Sequence, residues 1–277
     1  MTELIKHEID GTSIWFGTLL RASETKDKQM PFVVRPLFSY DAAKMGELSS
    51  TIYQNLKEDE KCFIHQHDSD YFKSIFNQKD VMYIGVFYNS ELIAMSYLRI
   101  CRDSKTFASE IPLQQPLKIT PQRPVASFGG DCVHPNFRGN RLNQLMINFR
   151  LLQAKKKGCI ETYSIIDRHN HWNMTPYFNN SFCMFASSID PADDGQIAIM
   201  RHFENQQLDT KTRPESTPFH HFDKIDDLLK RNFVAYHYNP RTQHLVFARP
   251  IPIQISHSNK FLQIISAKNR QGEHAYV

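Results

Sequence analysis

Residues Val133-His-Pro-Asn-Phe-Arg-Gly-Asn-Arg-Leu-Asn143 decide how this chain is read. Ahead of them, the apolar run Val125 to Val133 reads as a strand, and its Gly129-Gly130 pair marks a bulge or a close backbone approach. Beyond Gly139, the apolar residues Leu142, Leu145, Met146, Phe149 and Leu152 recur at helical spacing. They predict a helix over Asn140 to Lys157 that stops at Gly158. The start of such a helix leaves backbone N–H groups without intrahelical acceptors at its positive dipole end. A pyrophosphate fits there, and Arg138 and Arg141 add charge-assisted donors for its oxygens.

Upstream, Pro31 to Leu37 reads as a strand, and Asp41 as the N-cap of a helix running to Leu56 with Met45, Leu48, Ile52 and Tyr53 on one face. A second helix spans Ser69 to Asn77. Val81 to Tyr88 and Leu92 to Cys101 form a hairpin about Asn89-Ser90-Glu91. Residues 103–124, with prolines at 112, 116, 121 and 124, read as a loop. Downstream come a strand (Ile160 to Ile166), a short helix (His171 to Asn179) and an antiparallel pair (Phe182 to Ser187 with Gln196 to Phe203). The order is that of a mixed α/β domain.

Three regions follow from this pattern. Residues 1–31 are an N-terminal extension, with a strand or hairpin around Ser13 to Leu20 and a polar stretch from Glu24 to Gln29. Residues 32–204 are the core. Residues 205–277 are an appendage: Glu204 to Pro218 reads as a polar linker, followed by a helix at Phe222 to Arg231 and strands at Phe233 to Tyr238 and His244 to Ala248.

Composition narrows the function classes. Of 277 residues, 41% are hydrophobic and 22% charged, enough for a sizeable core. The net charge of +4 is dispersed, which argues against a nucleic-acid partner. Lys155-Lys156-Lys157 complements a helix C-terminus. No apolar run approaches the roughly 18–20 residues of a membrane span, and Met1 to Asp10 lacks the apolar stretch of a secretory signal. The five cysteines show no C-x-x-C spacing, so reduced thiols and a cytoplasmic location are expected.

The quoted stretch resembles the acetyl-CoA-binding motif of the GNAT N-acetyltransferase superfamily, V-x-P-x-x-R-G-x-G-x-G/A before an apolar helix. Val133, Pro135, Phe137, Arg138, Gly139, Leu142 and Leu145 match it. Asn170-His-Trp-Asn-Met-Thr-Pro-Tyr177-Phe-Asn-Asn-Ser-Phe182 is similar to the family's N-x6-Y-x3-G-F signature, and the element order over residues 32–203 is the family's. Two departures stand out. Arg141 and Asn143 occupy places where the family prefers glycine, with a helical backbone open to both residues, and Ser181 replaces the glycine of the second motif.

The resemblance implies a mostly antiparallel central sheet with two splayed parallel strands, flanked by helices. It implies acetyl-CoA as cosubstrate, without a metal, and direct transfer of the acetyl group to a primary amine. The cofactor's pantetheine arm is then expected along Ser127 to Val133, with a backbone N–H near Cys132 or Val133 as oxyanion donor. The pyrophosphate is expected at Arg138, Gly139, Asn140, Arg141, Leu142 and Asn143, with Asn170 as a further cofactor contact or, alternatively, a helix N-cap. Tyr177 matches the position that often protonates the departing sulfur, and a packed, supporting tyrosine is the other reading.

The base is open. The family positions that carry Glu or His hold Ser127 and Gly129 here. Asp131 is the nearest carboxylate on that strand, as a catalytic group or a hydrogen-bonding one; His134 and a water relay are alternatives. Cys132 reads as a structural thiol. His65 and His67 alternate as metal ligands do, yet no matching cluster follows. His169, His171 and Trp172 either line the acceptor mouth or pack. The acceptor is a small-molecule amine or a protein amine. A different class, an acyl-CoA-binding sensor or partner-docking protein without turnover, accommodates the same motifs.

Overall fold

The computed structural model describes residues 5–9, 12–19, 30–63, 65–113, 117, 119–190, 195–204, 206–211 and 214–251. Leu20, the polar stretch Glu24 to Gln29 and the segment after residue 251 lie outside the described residues. The strands are β1 (Ile5–Ile9), β2 (Thr12–Leu19), β3 (Met30–Pro36), β4 (Val81–Tyr88), β5 (Glu91–Cys101), β6 (Val125–Val133), β7 (Glu161–Asp167), β8 (Cys183–Ile189), β9 (Gln196–Phe203), β10 (Gln207–Asp209), β11 (Glu215–Pro218), β12 (Val234–Asn239) and β13 (His244–Ile251). The helices are α1 (Ala42–Gln54), α2 (Ser69–Ile75), α3 (Ser104–Glu110), α4 (Leu142–Lys156), α5 (His171–Phe178) and α6 (Phe222–Lys230).

The strands form a sheet in the order β1-β2-β3-β4-β5-β6-β7-β9-β8-β12-β13-β10, with β11 also on β13. Among the described residues, the β6–β7 pair is parallel and the other pairs are antiparallel. This is the mixed α/β architecture expected, a mostly antiparallel sheet flanked by helices. The parallel contact is short. It runs from Ala126 opposite Thr162 to Phe128 opposite Ser164, after which Gly129 to Val133 pair only with β5 and Ile165 to Asp167 only with β9.

Strand alternation sorts the core into two layers. On one face, Leu142, Met146 and Phe149 of α4 pack against Phe32, Val34, Ile84, Val86 and Ile93. On the other, Met45, Leu48 and Ile52 of α1 and Phe72 and Ile75 of α2 meet Tyr83, Phe87, Leu92 and Met95. The bulge expected on β6 is present: Tyr97 opposes Gly129 and Met95 opposes Cys132, so β6 carries one extra residue. Gly130 there has φ 62°, a conformation that costs glycine nothing.

Several expectations need correction. The stretch 103–124 contains α3, whose N-cap Asp103 accepts from the Thr106 N–H at 2.8 Å. Seven residues are too few to show a helical period, and the prolines lie beyond it. Asp41 stands at the N-cap of α1 but does not cap it. Its carboxylate, 3 % exposed, turns back to Arg35 at 2.7 and 2.8 Å and to the Phe38 N–H at 3.0 Å. Leu152 is 55 % exposed, whereas Arg150 lies on the buried face of α4. Gln207–Asp209 and Glu215–Pro218, within the stretch read as a linker, are β10 and β11, held by backbone pairing to β13 and not by an apolar pattern. Residues of α6, β12 and β13, among them Ile225, Leu228, Tyr238 and Phe247, share a core with Phe182, Met184 and Met200.

Candidate active site where two strands part

A cavity of about 1820 Å³ opens where β6 and β7 part. Gly129 to Val133 line one wall and Ile165 to Asp167 another, with the turn Phe137–Gly139, the first turn of α4, and Asn170, Asn173 and Tyr177 at the sides. Tyr71, Tyr83, Tyr97 and Glu110 line it as well. The His134 N–H donates to Ile93 O on β5 at 2.8 Å. Successive residues of a strand point their N–H groups to opposite edges, so the Val133 N–H faces the cleft and that of Cys132 faces β5. Of the two expected oxyanion donors, Val133 is the one with the open side.

The helix begins at Leu142, two residues later than expected. Gly139 (φ 83°) and Arg141 (φ 58°, ψ 26°) both hold left-handed backbone conformations. This explains why a glycine is favoured in Arg141's place, since a side chain there costs roughly 1–2 kcal/mol. Arg141 is therefore not in the right-handed helical conformation expected of it; Asn143 is. Arg138 and Arg141 are exposed at the cavity rim, and neither forms an ion pair among the described residues. The first-turn N–H groups of α4 have no intrahelical acceptor. Asn140 Nδ2 donates to Phe137 O at 3.0 Å and secures the turn. Asn143 Nδ2 donates to Asn173 Oδ1 at 2.5 Å, which joins α4 to α5, while the buried Asn143 Oδ1 has no partner among the described residues. Asn170 occupies the N-cap position of α5, but its side chain makes no capping bond and lines the cavity.

Beneath the parting strands lies a buried polar chain. The Tyr177 hydroxyl donates to Asp131 Oδ2 at 2.6 Å, and Arg150 Nη2 donates to Asp131 Oδ1 at 2.5 Å. Arg150, 0 % exposed, also donates to the carbonyls of Tyr97 at 3.0 Å, Gly129 at 3.3 Å and Met146 at 3.3 Å. One guanidinium thus ties α4 to β5 and to the bulge in β6. Ser164 Oγ lies 3.0 Å from the Tyr177 oxygen and 3.1 Å from Phe128 O, the last parallel pair before the strands diverge. Burial pushes the Asp131 carboxyl up, against the opposing pull of Arg150 and Tyr177. Burial, followed by Asp131, pushes the Tyr177 phenol up, so it stays protonated at neutral pH. The loop after α5 closes through Ser181 at φ 61°, with the Phe182 N–H returning to Tyr177 O at 3.1 Å. Here too a side chain occupies a left-handed position that suits glycine.

Further lining residues come from β5 and α3. Glu110 Oε2 accepts from the Tyr97 hydroxyl at 3.1 Å and from Ser127 Oγ at 3.4 Å, and Arg99 Nη1 lies 2.9 Å from Glu110 Oε1. A Cβ on Gly129 would fall 2.7 Å from the Tyr97 ring, so a side chain there would displace the tyrosine. His67 stacks on Tyr71 with ring centroids 3.6 Å apart. Arg150, Ser164, Tyr97 and Glu110 were not singled out from the sequence. Arg150 carried a usable signal, because a charge at the i+8 position from Leu142 sits on the apolar face and needs a buried carboxylate.

The remaining candidates do not join this constellation. Burial pushes the Cys132 thiol up to about 12, which leaves it protonated. His134 Nδ1 accepts from the Asn136 N–H at 3.2 Å and caps the turn. His171 packs among Trp172, Phe219 and Tyr238, whereas His169 and Trp172 line the cavity. Among the described residues, no group of three or more His, Cys, Asp or Glu side chains is placed to hold a metal. None of the described helices is long and apolar enough to cross a membrane.

No family model matches the chain, and no curated protein matches its sequence. Solved structures similar to it include an N-acetyltransferase from Staphylococcus aureus Mu50, at 14% identity and a TM-score of 0.47, over 62% of this chain and 97% of that one. Arabidopsis thaliana NAA60 in complex with acetyl-CoA is similar at 15% identity and 0.48, over 63% of this chain and 99% of that one. A PaiA N-acetyltransferase from Thermoplasma acidophilum in complex with coenzyme A is similar at 16% and 0.43, over 62% and 98%.

Proposed function

We propose that this chain is a GNAT-type N-acyltransferase that moves an acetyl group from acetyl-CoA directly to a primary amine. The observation that carries the reading is the parting of β6 and β7 immediately before a glycine-bearing turn and a helix start, all along one cavity. An extended amide-bearing arm can pair with the free edge of Gly129 to Val133. Arg138, Arg141 and the first-turn N–H groups of α4 offer donors to a pyrophosphate. The residues present fit the cosubstrate.

When bound, acetyl-CoA supplies an activated acetyl thioester. The Val133 N–H is the donor for the carbonyl oxygen as negative charge develops on it. Tyr177 holds a proton at the base of the cleft and gives it to the departing sulfur. Asp131, 4 % exposed and tied to Arg150 and Tyr177, orients that hydroxyl. Arg138, Gly139, Asn140, Arg141, Leu142, Asn143 and Asn170 form the cofactor side.

The test is release of free thiol from acetyl-CoA across a panel of primary amines and lysine peptides. Amine-dependent release is expected. Coenzyme A binding without release on any amine would favour a non-catalytic acyl-CoA-binding protein, a reading to which the lack of a base on β6 lends some support.

A further inference from the structure

The two strand positions that lack a base are filled from elsewhere. At Gly129 the space of a side chain is taken by the Tyr97 ring, whose atoms lie 2.7 Å from where a Cβ would be. At Ser127 the hydroxyl donates to Glu110 Oε2 at 3.4 Å, and the Tyr97 hydroxyl donates to the same oxygen at 3.1 Å. Glu110 comes from the last residue of α3, a helix placed between β5 and β6 in the chain. Its carboxylate, 11 % exposed, lines the same cavity as Tyr177.

We infer that Glu110 is the catalytic base of the proposed transfer, a carboxylate delivered by α3 to the place on β6 that Ser127 leaves empty. The inference rests on the acetyltransferase reading. The acceptor enters as an ammonium, because an alkyl amine has a pKa of about 10.4. The Glu110 carboxylate takes one proton from it and later yields that proton to water. The nitrogen lone pair then forms the C–N bond to the acetyl carbon as the C–S bond breaks. The second nitrogen proton passes to Tyr177 as Tyr177 gives its own to the sulfur, so amide, free thiol and one solvent proton result. Arg99 holds Glu110 Oε1 and keeps Oε2 turned toward Ser127 and Tyr97, where the amine approaches.

The experiment compares wild type, Glu110→Gln, and Glu110→Gln combined with Ser127→Glu. Glu110→Gln is expected to lower kcat/KM for the amine by about a hundredfold or more, the usual worth of a general base. Its affinity for coenzyme A should stay within twofold of wild type. Returning a carboxylate to β6 with Ser127→Glu should recover at least tenfold of the loss, which a structural role for Glu110 would not allow. Glu110→Gln with kcat/KM within threefold of wild type overturns the assignment. Should Glu110→Gln fail to fold, Glu110→Asp keeps the charge but withdraws it by one methylene. A tenfold loss at unchanged coenzyme A affinity supports the assignment, and full activity overturns it. Wild-type protein that binds no coenzyme A, or releases no thiol with any amine, removes the parent reading and this assignment with it. Wild-type turnover with an equally active Glu110→Gln removes Glu110 alone.

Discussion

Tyr177 on α5 donates its hydroxyl proton to Asp131 on β6 at 2.6 Å, although the two lie 46 residues apart in the chain. Because Arg150 holds the other Asp131 oxygen, the pair acts as one unit anchored to α4. Tyr177→Phe is expected to lower turnover by about a hundredfold, within the range of general acid catalysis, while coenzyme A affinity stays within twofold. Asp131→Asn should lose activity too, and the double variant should be little worse than the more damaged single one, since residues that work as a unit are non-additive. Steady-state kinetics on the three variants checks this; additive losses would separate the two residues.

Arg150 is the charge on which that unit depends. Arg150→Met leaves the Asp131 carboxylate buried without its cation, and breaking such a pair costs about 3–5 kcal/mol. Chemical denaturation should show that loss. Adding Asp131→Asn, which removes the stranded charge, should restore part of it.

Much of the fold was legible because the informative segments are long and periodic. The α4 stripe from Leu142 to Phe149, the β4–β5 hairpin and the glycine pair on β6 all carried local signals. What stayed hidden was non-local. The seven residues of α3 are too short for a period, so Glu110 was lost inside a proline-rich stretch. Gly129 reads as a gap until Tyr97, brought alongside by strand pairing, is seen to fill it. Asp41 stands where a cap belongs, but Arg35, six residues earlier at the end of β3, claims its carboxylate, a local contact that no helical or strand period marks.

Arg141 and Ser181 carry side chains at backbone positions that suit glycine. Both keep left-handed backbones, φ 58° and φ 61°, where glycine would be relaxed. Ser181→Gly should therefore raise stability by about 1 kcal/mol. Arg141→Gly should stabilise similarly yet weaken coenzyme A binding, because it also removes a phosphate donor. Thermal unfolding and calorimetry on the two variants separate these effects.

Asp41 gives a pH signature. Burial pushes its carboxyl up, but the Arg35 hydrogen bond and the Phe38 N–H outweigh that and hold it below the usual range. A carboxyl depressed in the folded state contributes stability above its unfolded pKa of about 3.9, and that contribution fades as pH falls through the lower folded value. Asp41→Asn should thus cost about 1–3 kcal/mol at pH 7, with the gap from wild type closing below about pH 4. Denaturant midpoints across pH 3 to 7 measure it. A gap independent of pH would point to packing in place of charge.

In the proposed site, coenzyme A lies along β6 with its pyrophosphate at the start of α4. Calorimetric titration of coenzyme A into wild type and into the double variant Arg138→Ala, Arg141→Ala tests it most directly. Saturable one-to-one binding to wild type, weakened at least several-fold in the double variant, is the predicted result. No binding to the wild-type protein, or equal affinity for both proteins, would contradict it.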